Sequence, residues 1–379
     1  MSVDDSAVEK FKIQARKQGF QALEENIIFR DLCSGCGTCS AVCPRNCIEF
    51  LAEGVPTMKG NAKCITCGLC AIHCPRSFMD TEEIEGKLFK GKKDELGYKV
   101  QRIAARASDP AIRKESQDGG VVSAMLKFLF EKGAIDGAAV CRADENFVGS
   151  PLLATSWEEA KSTSRSKYNL SPNIMALRWA RQKKLEKVAL VGLPCHMAAF
   201  RKIEHYGPKN LAKSVDLTIG LFCSENFCDE MVTNFLPTKG VDPKKITKMN
   251  IKGRFMVESG DDITEIPLPE MKAIANPGCL ACRDFSAEFA DISVGAVGAP
   301  DGWCTVISRT ERGDAVLNEL VEAGVLETGK LVKPKTLKRM SRSKRTRGNR
   351  RLLEIALKEA ALPLSSAEIP VEEKGSEKK

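Results

Sequence analysis

Histidine is scarce in this chain of 379 residues, which contains only His73, His196 and His205. General acid–base catalysis relies most often on histidine, so the chain is poorly supplied for a Ser–His–Asp or Cys–His active site. The sequence also lacks a GxGxxG fingerprint, a P-loop and an HExxH helix. These absences argue against a Rossmann dinucleotide site, a P-loop nucleotidase and a zinc protease.

Long hydrophobic runs are absent as well. No stretch of about 18 apolar residues occurs, so no transmembrane helix is predicted. The N-terminal segment is charged and lacks the apolar centre of a secretory signal, and we expect a cytoplasmic chain. A position at the cytoplasmic face of the membrane stays open. Aromatic residues make up only 6%, but the apolar fraction of 43% is enough for a folded core and excludes a wholly disordered chain.

Cysteine, by contrast, is abundant, with 16 residues. Disulfides are rare in a reducing cytoplasm, so cysteines at short, regular spacing indicate metal binding. One pattern occurs twice, as Cys33-x2-Cys36-x2-Cys39-x3-Cys43-Pro44 and as Cys64-x2-Cys67-x2-Cys70-x3-Cys74-Pro75. This run is typical of bacterial ferredoxins with two clusters, in which the fourth cysteine of each run binds the other cluster.

Residues 28–80 are therefore predicted to form a ferredoxin-like domain with two [4Fe–4S] clusters. The predicted ligands of the first cluster are Cys33, Cys36, Cys39 and Cys74. Those of the second cluster are Cys64, Cys67, Cys70 and Cys43. A pair of zinc sites is the alternative, but zinc ribbons do not need eight cysteines in this repeated order. Cys47 is predicted to be a small packed thiol.

The rest of the chain predicts an α/β domain over residues 100–335. Apolar runs at 187–191, 215–222 and 291–295 indicate buried strands, and they alternate with segments of helical spacing such as 312–323. Alternation of this kind favours the α/β class, with α+β elements in the ferredoxin part. In front, residues 1–27 are predicted to hold an amphipathic helix, and residues 81–99 a charged linker.

Four further cysteines lie at positions that favour a ligand site. Cys195 and Cys223 each follow a predicted strand, and Cys279 and Cys282 form a CxxC pair. Ligands collect where the strands of α/β sheets end, so the four thiols could bind a third [4Fe–4S] cluster. Spacing alone leaves the alternative that they are buried hydrophobic residues.

Several motifs occur in a fixed order around these cysteines. They are SQDGG at 116–120, SKY at 166–168, GLPCHMAAFRK at 192–202, GLFCSEN at 220–226, the CLAC pair at 279–282, DISVG at 291–295 and GWCTV at 302–306. This set resembles the beta-subunit family of coenzyme F420-dependent hydrogenases and dehydrogenases over about residues 28–350. With a ferredoxin unit in front, the chain is most similar to the F420H2 dehydrogenase branch of methanogens and related archaea.

The resemblance implies FAD, coenzyme F420 as substrate and a third [4Fe–4S] cluster in an α/β flavin-binding domain. The implied ligands of that cluster are Cys195, Cys223, Cys279 and Cys282. The implied cofactor contacts are Ser116, Gly119, Gly120, Ser123, Lys167, Tyr168, Pro194, Asn226 and Gly295. From the residues alone, Gly119 and Gly120 fit either an anion at a helix N-terminus or a flexible backbone, and Lys167 fits either an anion contact or a solvated charge. The roles of His196 and of Cys228, a competing ligand, stay open.

The activity implied is an oxidoreductase that takes a hydride from reduced F420 onto FAD and passes single electrons through the clusters to a partner. That partner would be a membrane F420H2 dehydrogenase complex, ferredoxin or a similar acceptor. No protein side chain is expected to be catalytic, because the cofactors carry the bond-breaking chemistry. The alternatives are a beta subunit of an F420-reducing hydrogenase or formate dehydrogenase working in reverse, and a non-catalytic iron–sulfur electron-transfer subunit.

Positive charge is concentrated near the C-terminus. Residues 333–351 hold ten Lys or Arg and no acid, whereas the remainder carries 48 basic and 50 acidic residues. Residues 336–379 are therefore predicted to be a basic extension, a solvated tail that docks on a partner, with a short helix over 352–361. An acidic subunit, anionic lipid or the anionic coenzyme would suit this charge. Nucleic acid is not expected, because no recognition motif accompanies the basic run.

Overall fold

The computed structural model describes residues 5–51 and 54–359. Its N-terminal part is built of short elements around the cysteine runs. They are α1 (Asp5–Gln18), α2 (Gln21–Leu23), a π-helical turn (Glu24–Ile28), α3 (Thr38–Val42), β1 (Ile48–Phe50), β2 (Pro56–Met58) and α4 (Leu69–Ile72). Strands β1 and β2 pair antiparallel. The predicted N-terminal helix is confirmed for α1, apart from residues 1–4, which lie outside the described part.

The repeat in the sequence is also a repeat in the structure. Helices α3 and α4 each start after a glycine in the left-handed region, Gly37 with φ 89° and Gly68 with φ 70°. Each glycine lies between the second and third cysteines of its run. Only glycine adopts this conformation without strain, so the two CxxC loops turn in the same way.

Residues 81–99 are not an irregular linker, and that expectation is wrong. They form α5 (Thr81–Leu88) and a hairpin of β3 (Lys92–Asp94) and β4 (Gly97–Lys99). The Asp80 side chain caps α5 by accepting a hydrogen bond from the Glu83 amide. Phe89 is buried and stacks on Tyr98 at 5.1 Å between ring centroids. Phe89 also lies 6.5 Å from the Phe289 ring, and this apolar contact joins the segment to the body despite its charged residues.

The α/β body contains one mixed sheet of eight strands in the order β15-β5-β14-β13-β9-β8-β6-β7. The strands are β5 (Gln101–Ala107), β6 (Gly137–Ala143), β7 (Gly149–Ala154), β8 (Val188–Gly192), β9 (Val215–Leu221), β13 (Ile292–Gly295), β14 (Cys304–Ser308) and β15 (Leu326–Gly329). The central strands β13, β9, β8 and β6 pair in parallel, and the outer pairs are antiparallel. The predicted fold class is confirmed.

Helices cover both faces of this sheet. They are α6 (Pro110–Glu115), α7 (Val121–Glu131), α8 (Trp157–Lys161), α9 (Met175–Gln182), α10 (Pro194–Tyr206), α11 (Lys209–Ala212) and α15 (Glu311–Glu322). Ala189 and Val191 of β8 pack in the core with α7 and α15, whereas Leu190 packs in the core with α9 and α10. Successive side chains of a strand point to opposite faces, so a sheet covered on both sides needs a continuously apolar strand.

A smaller antiparallel sheet follows β9. It consists of β10 (Ile246–Ile251), β11 (Phe255–Ser259) and β12 (Asp262–Ile266), which pair in that order. Around it lie a π-helical turn (Met231–Phe235), α12 (Leu236–Thr238), a 3-10 turn (Pro243–Lys245), α13 (Leu268–Ala273) and α14 (Pro277–Leu280). Phe227, Met249 and Phe255 are buried in its own core. This insertion separates Cys223 from Cys279 along the chain.

The basic segment forms a long helix, α16 (Pro334–Glu359). The expectation of a solvated tail is wrong for these residues, because Leu337, Ser341 and Lys344 are buried. The short helix predicted at 352–361 is the end of α16, and residues 360–379 lie outside the described part of the chain. No helix among the described residues is long and apolar enough to cross a membrane.

Candidate metal and cofactor centre

The four predicted ligands of the second cluster line one cavity. It is walled by Gly19, Phe20, Cys43, Cys47, Ile48, Met58, Cys64, Cys67, Gly68 and Cys70. Cys43 comes from the first cysteine run and the other three ligands from the second, as the crossed assignment requires. Cys47 also borders the cavity, and its amide donates to the Cys43 sulfur at 3.3 Å. Cys64 is exposed, so this cavity lies at the protein surface.

The predicted ligands of the first cluster are also close together. Burial, with smaller contributions from the neighbouring Cys74 and Cys36, raises the pKa of Cys33 to about 12. Burial likewise raises the pKa of Cys39, with added contributions from Cys33, Cys36 and Cys74. Crowded, buried thiols resist ionisation unless a cation binds them. A donor set of four such thiols fits an iron–sulfur cluster.

The third set of cysteines is brought together from separate parts of the chain. Cys195 follows β8 at the start of α10, and Cys223 follows β9. Because β8 and β9 are adjacent and parallel, both cysteines lie at the same edge of the sheet. Helix α14 carries Cys279, and Cys282 comes two residues after that helix. The charges of Cys282 and Cys223 both act on Cys195, and that of Cys279 acts on Cys223.

The first and third sites are neighbours. Cys36 is the thiol with the largest charge effect on Cys195, and the two are predicted ligands of different clusters. The loop that begins α14 packs directly on the first cysteine run, since a Cβ at Gly278 would overlap the Cys33 carbonyl. Arg76, which follows Cys74 at the end of the second run, reaches the same loop of α14 by donating to the Gly278 carbonyl at 3.1 Å.

Two cations stand beside the third set of thiols. Lys344 of α16 is buried at 5% exposure and donates to the Cys223 carbonyl. Burial raises the pKa of Cys282, but Lys344 and Arg76 outweigh it and bring the pKa below the ordinary value of a thiol. Burial also opposes the charge on Lys344, yet Cys223, Cys282 and Cys279 outweigh that effect and raise the pKa of the ammonium. The two cations thus favour the thiolate, which is the form that binds iron, at Cys282, whereas burial raises the pKa of Cys195, Cys223 and Cys279.

Within residues 5–51 and 54–359, no three His, Cys, Asp or Glu side chains meet closely enough to hold a single metal ion. Each of the three predicted sites offers four thiols, which is the donor set that a [4Fe–4S] cluster uses.

A second cavity lies beside the N-terminal end of α7, with a volume of about 230 Å³. It is lined by Asp109, Ala111, Ile112, Glu115, Ser116, Ser123, Lys127, Trp157, Lys161 and Ser164. Ser116 and Ser123 are predicted flavin contacts, and their hydroxyls lie 3.3 Å apart. Gly120 precedes α7 with φ 73°. The hydroxyls, the two lysines and the start of an 11-residue helix suit an anionic group such as a flavin phosphate.

Two of the residues predicted to contact a cofactor make contacts within the protein. Lys167 is buried and donates to the carbonyls of Thr163, Ser164 and Arg165 at 2.6, 2.7 and 2.8 Å. It is thus not a solvated charge, and burial lowers its pKa to about 8. At Gly119, a Cβ would lie 3.0 Å from the Cys304 amide nitrogen, so the absence of a side chain allows close packing on β14.

Tyr168 packs in the small sheet's core, with its ring edge-on to Phe255 at 5.5 Å between centroids. Burial raises the pKa of its hydroxyl. A Cβ at Gly295 would overlap the Phe222 ring, which directly precedes Cys223. These two residues therefore contact protein side chains in the structure.

Asn226 and Pro194 shape the loops that carry the third set of cysteines. The Asn226 side-chain amide donates to the Asn169 backbone carbonyl at 2.8 Å. The Asn226 backbone carbonyl accepts a hydrogen bond from the Asn276 backbone amide at 2.9 Å. This contact ties the loop after Cys223 to the start of the Cys279 helix. Pro194 occupies the first turn of α10, where its missing N–H costs no hydrogen bond.

His196 has both ring nitrogens bonded within the protein. Its Nδ1 accepts from the Leu193 amide at 2.9 Å, and its Nε2 donates to the Ser171 carbonyl at 3.0 Å. Burial lowers its pKa to about 4, so the ring is neutral. His196 therefore orients the turn that carries Cys195.

Arg76 and Lys344 were not predicted as site residues. A local sequence pattern pointed to Arg76, because both cysteine runs are followed by Pro-Arg after their last cysteine. Lys344 had a weaker one. It shares a helical face with Leu337, Ser341 and Gly348, which lie seven, three and four residues away along the helix. Ten basic residues in one segment concealed that face.

Three known family domains match successive parts of this chain. Residues 25–75 match the 4Fe-4S dicluster domain, and residues 102–178 match the N-terminal part of coenzyme F420 hydrogenase/dehydrogenase beta subunits. Residues 185–334 match the C-terminal part of those subunits. A coenzyme F420 hydrogenase subunit beta from Methanothermobacter thermautotrophicus is 37% identical over 278 residues, 71% of this chain and 98% of the relative. The chain belongs to the coenzyme F420 hydrogenase/dehydrogenase beta-subunit family.

Other members of the family extend the comparison. One subunit of the F420H2 dehydrogenase of Methanosarcina mazei is 35% identical over 76% of this chain and 82% of its own length. A coenzyme F420-dependent sulfite reductase of Methanocaldococcus jannaschii is 35% identical over 83% of this chain, which spans 50% of that protein. A chain of the F420-reducing [NiFe] hydrogenase complex of Methanosarcina barkeri superposes with a TM-score of 0.66 at 33% identity, over 70% of this chain and 95% of that chain.

The predicted family is thereby confirmed. Named members include F420-linked oxidoreductase subunits, which supports an electron-transfer oxidoreductase role with 4Fe-4S clusters for this family member. The match to the family's C-terminal part ends at residue 334, where α16 begins.

Proposed function

We propose that this family member oxidises reduced coenzyme F420 and supplies electrons to a partner, using FAD and three [4Fe–4S] clusters. When bound, the flavin exchanges a hydride with the deazaflavin and single electrons with the clusters. The observation that carries the proposal is the third set of thiols. Cys195, Cys223, Cys279 and Cys282 come from distant segments, yet converge beside the first cysteine run in a chain of F420-linked ancestry.

The three sites form a continuous series through the protein. Cys195 of the third site neighbours Cys36 of the first, and Cys39 of the first site neighbours Cys70 of the second. The series ends at Cys64, which is exposed. Apart from that end the thiols are buried or half-buried, so the chain excludes water between successive sites. Such an order suits single-electron transfer from the α/β body to the surface of the ferredoxin-like domain.

The cavity beside α7 is the proposed place for part of the flavin. Ser116 and Ser123 offer hydroxyls, while Lys127 and Lys161 are paired with Asp109 and Glu115 of the same lining at 3.9 and 3.8 Å. These residues would bind and orient an anionic group, which needs no acid–base chemistry from the protein. The few histidines of the chain are consistent with that division of labour, because His196 is used within the fold.

A membrane-associated F420H2 dehydrogenase complex, ferredoxin or a similar acceptor is the proposed partner. Relatives of both the dehydrogenase and the hydrogenase kind are named as subunits, which supports a partner at the exposed Cys64 end. We propose a cytoplasmic location, since the cofactors and reduced thiols require a reducing compartment.

An anaerobic absorbance titration of the reconstituted protein with reduced coenzyme F420 tests the function. We expect the flavin and iron–sulfur bands to bleach while oxidised coenzyme F420 appears. Flavin content, measured separately after acid release, distinguishes an enzyme from an electron-transfer subunit without flavin. Clusters that accept electrons from dithionite but not from reduced coenzyme F420 would contradict the proposal.

A further inference from the structure

Helix α16 covers the third cysteine site and is held there by several contacts. Leu337 is fully buried against Leu96 and Phe285, and the Ser341 hydroxyl donates to the Glu95 carbonyl at 2.7 Å. At Gly348 a Cβ would lie 2.8 Å from the Cys282 carbonyl oxygen. The helix therefore touches the polypeptide of a proposed cluster ligand with no side chain in between.

Several basic residues of α16 pair with acidic side chains of the body. Arg342 reaches Glu95 at 2.8 Å, Arg345 reaches Glu288 at 2.8 Å, and Arg347 pairs with Glu225. Lys344 differs from these residues in burial and in partner. Its ammonium donates to the Cys223 carbonyl, and the charges that act most strongly on it are those of Cys223, Cys282 and Cys279.

A buried ammonium is costly unless negative charge lies close to it. Around Lys344 that charge comes mainly from thiolates, so the lysine and the thiolates stabilise each other. Arg76 also acts on this site, but it acts on Cys33 and Cys74 of the first site too. For Lys344 the largest charge effects come from Cys223, Cys282 and Cys279, which all belong to the third site.

We propose that Lys344 is a positioning residue that selectively raises the reduction potential of the third [4Fe–4S] cluster. The inference rests on the proposed function for the presence of that cluster. Reduction adds one electron to the cluster and breaks no bond, so the negative charge of the site increases by one. A fixed positive charge in a buried site stabilises the more negative state. Helix α16, which begins where the family match ends, thereby sets the difference in potential between the third cluster and the first.

The test is a redox titration of the whole reconstituted protein, followed by electron paramagnetic resonance. K344Q keeps a donor for the Cys223 carbonyl and removes the charge, K344R keeps the charge, and R342Q is the control on an exposed face of the same helix. For K344Q we expect the third cluster to become harder to reduce by about tenfold in its equilibrium constant, or ~59 mV for one electron. The other two clusters, K344R and R342Q should keep the wild-type midpoints.

An unchanged midpoint in K344Q with a full complement of iron would overturn the proposal. If K344Q loses about four irons, K344R decides the question. Retention of that iron in K344R supports a role for the charge, whereas loss in both variants shows that only the shape of lysine matters and overturns the proposal. The iron content of the wild-type protein distinguishes failure of this proposal from failure of the proposed function. About eight irons per chain instead of about twelve would refute the third cluster itself.

Discussion

The second and third cysteine sites bind the same proposed cofactor with different architectures. In the second site three ligands come from one CxxCxxC loop, Cys64 is exposed, and backbone turns shape the pocket. In the third site the ligands come from several segments separated by strands and by the small sheet, and all of them are at least half-buried. The difference shows that a short motif can form a cluster site by itself, whereas dispersed ligands need the whole fold.

The two sites also differ in how they accommodate negative charge. Burial raises the pKa of Cys70 in the second site to about 12, opposed by a backbone hydrogen bond at Ala71. In the third site Lys344 and Arg76 lower the pKa of Cys282 below its ordinary value in spite of burial. A backbone hydrogen bond thus opposes burial at Cys70, and buried cationic side chains oppose burial at Cys282. Substitutions in and around the third site test this contrast.

Removal of one third-site ligand should separate the sites most clearly. We expect C279A to lose about four irons while the two ferredoxin-like clusters stay, because their ligands lie in another part of the chain. Iron per chain and the visible absorbance measure this loss. C228A is the matched control, since Cys228 lies near the same loops and is not a proposed ligand. An unchanged iron content in C279A, or an equal loss in C228A, would contradict the ligand assignment.

A substitution that pushes α16 away from the third site should have the next largest effect on cluster content and stability. G348A places a methyl group 2.8 Å from the Cys282 carbonyl, and the backbone must shift. We expect a loss of about 1–3 kcal/mol in the free energy of unfolding and weaker retention of the third cluster only. Chemical denaturation and iron content measure both effects.

G86A is the control for that substitution. Gly86 lies in α5, and a Cβ there meets nothing within 4 Å. The same exchange should therefore stabilise the protein slightly, by up to about 1 kcal/mol. If G348A behaved like G86A, close contact between α16 and Cys282 would not matter for stability.

The buried charges below α16 should make stability depend on pH. Burial raises the pKa of Glu288 to about 7, with a further contribution from Asp284, and Arg345 opposes both. The folded state therefore binds more protons than the unfolded state, and stability should fall as pH rises from about 4.5 to about 7. E288Q should flatten this part of the profile by about 1–3 kcal/mol. Unfolding at several pH values measures it, and a wild-type slope in E288Q would contradict the assignment.

The exposed ion pairs of α16 should contribute least. Arg342 and Glu95 are 62% and 35% exposed at their side chains, so water screens the pair. We expect R342Q to change the free energy of unfolding by about 0–1 kcal/mol and to leave the iron content unchanged. A loss of cluster in R342Q would show that the whole basic face, and not Lys344 alone, supports the third site.

Much of the fold could be predicted from local patterns. Val188–Gly192 and Val215–Leu221 form strands where continuous apolar runs indicated them, and Glu311–Glu322 forms a helix where the spacing indicated one. The prediction for 81–99 was wrong because its charged residues conceal Ile84, Phe89 and Leu96, which are buried. The small sheet was missed since its short strands alternate with turns and carry many charges.

The candidate site, like the fold, could be predicted from the sequence only in part. Eight ferredoxin cysteines and the strand-end positions of Cys195 and Cys223 could be found in the sequence, because spacing and strand ends are local properties. The roles of Lys167 and Lys344 could not. Both are lysines in charged segments, and both are buried in the structure with their ammonium groups donating to backbone carbonyls. Whether a lysine in such a segment is buried or exposed depends on its contacts with residues far along the chain.

Local patterns in the chain therefore specify the two ferredoxin-like sites, the class of the fold and the family. Ligand spacing within a loop and the hydrophobic period of a strand act over a few residues, so they can be read directly. That the basic segment is a helix over the third site, with Lys344 among its thiols, follows only from the folded arrangement. Burial and electrostatic pairing depend on distances in space, and residues 223, 282 and 344 become neighbours only when the chain is folded.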